Sequence, residues 1–215
     1  MRLPSKVEWS AFAVVVILTA VNVGWTMRAF KEGNQGQVMA TWIMFAVAES
    51  LNFLFYFSTE NKERSWINSA GNIEEALGCW LVLMLMLLVR GWLGLVFSFW
   101  DLVCLGISGS AVALWLLTGK TKNPQRVIQM VLTVAYIPTF IAVWTADINT
   151  QPWHFWGSAA IAMTISMYAP WQRNKQTGQR DWRALMYSAR ALAMLMILLA
   201  LMGWKDWGRY LYALI

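Results

Sequence analysis

At 215 residues, 59% of them hydrophobic, the chain is too apolar for an ordinary soluble domain and too short to add one to a membrane bundle. Its net charge of +6 does not point to nucleic acid, because the basic residues lie in short gaps between apolar runs and form no stripe. Cys79 and Cys104 sit inside apolar runs without metal-ligand or redox spacing, which predicts packing residues rather than a disulfide.

Hydropathy predicts seven membrane spans, at 9–27, 38–57, 73–89, 95–118, 127–146, 153–170 and 184–203. The first follows Arg2 and Lys6 like a secretory leader, but no small-x-small cleavage site follows, so it reads as a retained span. The second, Val38 to Phe57, has the length of a bilayer's hydrocarbon core, about 30 Å, and carries Glu49 near its centre. An unpaired charge there costs a few kcal/mol, so Glu49 is either a helix-packing carboxyl or part of a substrate or ion site. Asn52 shares its helix face. Glu74 and Glu75 open the third span and read as helix N-terminal carboxylates, while Gly91-Trp92 separates it from the fourth. Asp101, near the outer boundary of the fourth, fits a structural or oligomer-contact role. The seventh span carries Arg190 close to its centre, and the tail 205–215 alternates basic and aromatic groups like an interfacial anchor.

Basic residues divide unevenly between the two sides. One side collects Arg2, Lys6, Lys62, Arg64, Lys120, Lys122, Arg126, Arg173, Lys175, Arg180 and Arg183; the other has Arg28, Lys31, Arg90, Lys205 and Arg209. The asymmetry predicts a cytoplasmic N-terminus and an exoplasmic C-terminus, in a membrane of the bacterial inner (plasma) type. Trp9, Trp25, Trp92, Trp115, Trp144, Trp153 and Trp204 lie at span ends, as an interfacial aromatic belt requires.

A weak internal repeat runs at an offset of about 114 residues, matching Thr19 with Thr133, Gly24 with Pro138, Trp42 with Trp156, Ala46 with Ala160 and Ala48 with Ala162. It slips to 112 where Gly91-Trp92 meets Gly203-Trp204. Three spans reverse the direction of the chain, so a second copy in the same orientation needs one extra crossing. The predicted fold is therefore all-α, with seven transmembrane helices as two parallel three-helix repeats: residues 1–92 and 123–215, joined by a linker helix in 93–122. Gly24 and Pro138 are matched candidate hinges, or Gly and Pro of the kind membrane helices tolerate.

This three-one-three layout, with AYIPTFIAVWTADINTQPWHFW at 135–156 and VNVGWTMRAFKEGNQGQVMATWIMF at 21–45, resembles the SWEET and PQ-loop sugar and amino-acid carriers and the PnuC-type vitamin carriers. The chain departs from them in one signature: Gly24-Trp25 and Pro138-Thr139 stand where the Pro-Gln pair is expected, and Pro124-Gln125 falls in a loop. The predicted orientation fits a PnuC-like protein better than a SWEET.

The candidate substrate site comprises Glu49, Asn52, Asn22, Trp25, Tyr136, Thr139, Ser166 and Arg190. Glu49 and Arg190 fall at similar depth, where each lowers the burial cost of the other, as a static clamp or as a pair that substrate or proton opens. The others offer aromatic faces and hydrogen-bonding groups for a small polar solute, or belt and packing material. The expected function is a carrier working by alternating access, with or without proton linkage. The alternative is a non-transporting membrane scaffold or subunit of a membrane complex, its polar groups joining helices. An enzyme is not expected: His154 is the one histidine, no metal cluster or cofactor motif appears, and all seven lysines lie outside the spans. Expected partners are the lipid bilayer, the solute and a second copy of the chain.

Overall fold

The computed structural model describes residues 6–31, 38–58, 70–90, 97–118, 124–147, 149–177 and 182–212. Every regular element among them is a helix: α1 Lys6–Lys31, α2 Met39–Ser58, α3 Ala70–Arg90, α4 Phe99–Thr118, α5 Pro124–Val134, α6 Ile137–Thr145, α7 Trp153–Thr177 and α8 Trp182–Tyr212. Three stretches are long and apolar enough to cross a membrane: Phe99–Leu117, Arg126–Thr145 (which joins α5 to α6) and Leu185–Trp207. Phe12–Arg28 and Glu75–Val89 are shorter apolar helices. Arg2, Lys62, Arg64, Gly91, Trp92, Lys120, Lys122 and Arg180, used above for orientation and boundaries, lie outside the described residues.

Local chemistry explains several helix ends. Ser98 and Asp101 form a reciprocal capping box at the start of α4: the Ser98 amide donates to Asp101 Oδ2 (2.7 Å), and the Asp101 amide donates to Ser98 Oγ (3.2 Å). Pro124 opens α5, where its missing N–H costs nothing. The α5–α6 junction turns at Ala135 and Tyr136, with the Tyr136 amide reaching only to the Thr133 carbonyl (3.2 Å). Pro138 then stands in the first turn of α6 and cannot donate back to Val134, so one rung is lost. By contrast, α1 runs unbroken through Gly24. α7 and α8 continue past the predicted span ends at 170 and 203, and α8 takes in much of the tail.

The packing has a repeating order. α3 packs against both α1 and α2, and α8 against both α7 and the α5–α6 pair. Between these groups α1 packs against α7, and α2 against α5 and α6. The result is a ring of neighbours, α1–α3–α2–α5/α6–α8–α7 and back to α1. Exchanging α1, α2 and α3 for α5/α6, α7 and α8 leaves that ring unchanged. α4 stands outside it, against α2, α5 and α6. The core between them holds Trp42, Met86, Leu132, Val143, Leu198 and Met202.

Polar side chains fasten neighbours at single points. Thr41 on α2 and Thr139 on α6 share a hydrogen bond of 2.9 Å in the core, Trp80 Nε1 donates to Ser50 Oγ (2.9 Å), and Ser158 on α7 donates to Asn22 Oδ1 on α1. Thr139→Val leaves the Thr41 hydroxyl buried without its partner. We expect a loss of about 0.5–1.5 kcal/mol in detergent unfolding, with Thr41→Val adding less than its own single cost.

Candidate functional site

All six positions of the ring contribute to one central cavity; α4 contributes nothing. Its space open to the centre of a water molecule is about 100 Å³, where a single water needs roughly 10–15 Å³. Its walls are largely aromatic. Trp42 stacks on Trp156 (centroids 6.0 Å, planes 22° apart), Phe155 meets Trp42 edge-on at 5.2 Å, and Phe45 meets Tyr136 edge-on at 4.7 Å. Tyr136, at the turn between α5 and α6, stands in this wall.

The lining repeats itself along the chain. Asn22 and Tyr136, Trp42 and Trp156, Phe45 and Ala159, and Glu49 and Met163 stand at the offset of 114 residues, and all eight line the cavity. Glu75 and Tyr187, Gly78 and Arg190, and Cys79 and Ala191 stand at the offset of 112 and line it as well. Three of these pairs set a charged side chain against one without charge: Glu49 opposite Met163, Arg190 opposite Gly78, and Glu75 opposite Tyr187.

Glu49 is 3% exposed, and its Oε2 has no hydrogen-bond partner among the described residues. Arg190 is within electrostatic reach of it, as is the amide of Asn52 one turn along α2. Arg190 is held from its own side of the ring: Nε donates to Gln129 Oε1 on α5 (2.7 Å), and the guanidinium lies 5.3 Å from the Tyr187 ring centroid. Its Nη1 is buried without a hydrogen-bond partner among the described residues, as are Tyr187 OH and Trp42 Nε1. Such atoms cost about 1–3 kcal/mol each when left unmatched, so the cavity is poised for a polar ligand.

Of the eight site residues expected from sequence, Glu49, Asn22, Tyr136 and Arg190 line this cavity. Asn52 is buried beside Glu49 without lining it. Trp25 lies outside the cavity where α1 meets α7, part-exposed and stacked on His154 at 4.6 Å with Arg28 over its ring. Thr139 is spent on Thr41, and Ser166 bonds to the Met163 carbonyl of its own helix (3.0 Å) and, at 3.5 Å, to Ser188. Glu75 departs from its expected capping role: α3 begins at Ala70, which puts Glu75 beyond the first turn and in the cavity wall. Cys79 also lines the cavity, and both cysteines are reduced. Among the described residues no cluster of His, Cys, Asp or Glu is suited to a metal.

One end of the wall is secured by a chain of contacts that sequence reasoning missed. Trp156 Nε1 donates to Gln151 Oε1 (3.2 Å), the Gln151 amide to Asn149 Oδ1 (2.9 Å), and Trp153 Nε1 to Asp206 Oδ2 on α8 (2.7 Å). The polar run Asp147–Gln151 ahead of Pro152 was its visible signal. Gln151→Leu should cost about 1–3 kcal/mol in unfolding measurements by stranding the Trp156 N–H. Trp25→Phe, at an exposed site, should stay within about 0.5 kcal/mol of the parent.

The chain matches no protein-family model, no curated protein and no solved structure.

Proposed function

We propose that this protein is an integral membrane carrier that moves a small polar solute by alternating access around the central cavity. The observation that carries the reading is the central cavity itself. Residues of α1, α2, α3, α7 and α8, with Tyr136 at the α5–α6 turn, line one space, and two of them hold a buried carboxylate oxygen and a buried guanidinium nitrogen that have no hydrogen-bond partner among the described residues. A bundle that only joined helices through polar contacts would have those atoms bonded to each other or to neighbours.

The outer surface supports a bilayer setting. Leu88, Leu114, Leu117, Ile17 and Ile197 are all more than half exposed, around helices that include three of membrane-spanning length. Water would not favour so continuous an apolar exterior on a monomer. The ring order, with lining residues that recur at the repeat offset, supports two parallel three-helix units related by a two-fold axis through the cavity. The arrangement we propose is that of SWEET, PQ-loop and PnuC-like carriers, with α4 as the linker, the N-terminus cytoplasmic, the C-terminus exoplasmic and the bacterial inner membrane as the location. Rocking of one unit against the other would use the broken helix at Pro138 on one side; the unbroken α1 would move as a rod on the other.

Cys79 offers a direct test, because it already lines the cavity. In proteoliposomes carrying the Cys104→Ala protein, a membrane-impermeant cationic thiol reagent should modify Cys79 when applied from either face. Glu49→Gln should change the ratio of the two rates and abolish solute flux. Reaction from one face only, with a ratio that Glu49→Gln does not move, would contradict the carrier and favour a static scaffold.

A further inference from the structure

We infer that the cavity takes a small zwitterion with a flat ring, its ammonium group toward Glu49 and its carboxylate toward Arg190. This inference rests on the carrier reading and names the chemistry of the solute. It begins from the way Glu49 and Arg190 break the symmetry of the lining. At the position that corresponds to Glu49 the other unit has Met163, and at the position that corresponds to Arg190 it has Gly78. An otherwise matched, mostly aromatic and apolar space thus carries a carboxyl group on α2 and a guanidinium on α8. Glu75 on α3 adds a second carboxyl group to the lining and has interactions of its own.

The atoms without partners then select the ligand. Glu49 Oε2 can only accept from a donor while the carboxylate is charged, whereas Arg190 Nη1 and Trp42 Nε1 can only donate. A cation alone would satisfy Glu49 and leave Nη1 and the indole N–H buried and unmatched. An anion alone would do the reverse. A sugar, with hydroxyls around its whole rim, would press several of them against Phe45, Phe155 and Leu195, where nothing accepts or donates. A molecule with both charges on one edge and a planar apolar body satisfies the polar atoms and fills the wall between Trp42 and Tyr136. Charged hydrogen bonds to a matched partner are the strong class, so each end contributes separately to selectivity.

The test uses three probes with one ring and different ends, titrated calorimetrically against the purified full-length protein: phenylalanine, phenethylamine and 3-phenylpropionate, with glucose as a fourth. Phenylalanine should bind at least about tenfold more tightly than any of the others. Glu49→Gln should remove most of its advantage over 3-phenylpropionate while leaving the binding of 3-phenylpropionate itself intact or stronger. The ranking on the parent protein decides the matter even if that variant does not fold. Equal or tighter binding of a singly charged analogue or of glucose, or no binding of phenylalanine, overturns the inference. The carrier reading fails separately: if the ranking holds while Cys79 reacts from one membrane face only, the ligand class stands and transport does not.

Discussion

A carboxyl group on α2 and a guanidinium on α8 line one cavity in a bundle that exposes many large apolar side chains. Neither charge would be tolerated there alone, since several kcal/mol are needed to take each out of water. Their proximity reduces that cost, and the surrounding polar atoms reduce it further: Gln129 on Nε of Arg190, the Tyr187 ring beneath its guanidinium, and Asn52 beside Glu49. The unmatched atoms of the two, Glu49 Oε2 and Arg190 Nη1, belong to residues that line the cavity. That is the condition in which a ligand stabilises the protein as it binds.

The ring of helices explains why the charges meet. In that ring α5 and α6 stand between α2 and α8, packed against both. Trp42 and Trp156, matched in the sequence repeat, stack on each other across the middle. α1 and the α5–α6 pair take corresponding places in the ring but differ in continuity: the second is broken at Ala135–Tyr136 and resumes with Pro138 in its first turn, while α1 passes through Gly24 as a continuous helix. Glycine permits bending without enforcing it, whereas proline removes a hydrogen bond in every conformation.

Much of this was legible in the sequence because it depends on chemistry that no neighbour can override. A glutamate near the centre of a twenty-residue apolar run must face something other than lipid, and an arginine at comparable depth is its natural complement. A proline inside an apolar run must cost a rung. The facing of individual residues was less legible. A helix that is apolar all round has no polar face to reveal which side points inward. Trp25 and Thr139 look as suited to a site as Asn22 and Tyr136, yet one lies outside the cavity and the other is used up on Thr41. Glu75 was misread because the start of α3 lies before the apolar run, at Ala70, so a residue that looks like a cap is well inside the helix. The aromatic walls were equally hidden, since tryptophan at a span end is more often belt than cavity lining.

The most direct measurement is a double-mutant cycle on Glu49→Gln and Arg190→Met, read as unfolding free energy of the purified protein. If the two charges share one low-dielectric space, each single change strands the other charge, and the double variant should be more stable than the sum of the singles predicts by at least about 1 kcal/mol. Additivity within about 0.3–0.5 kcal/mol would mean that the charges do not sense each other, and the central cavity would lose its claim to be the site.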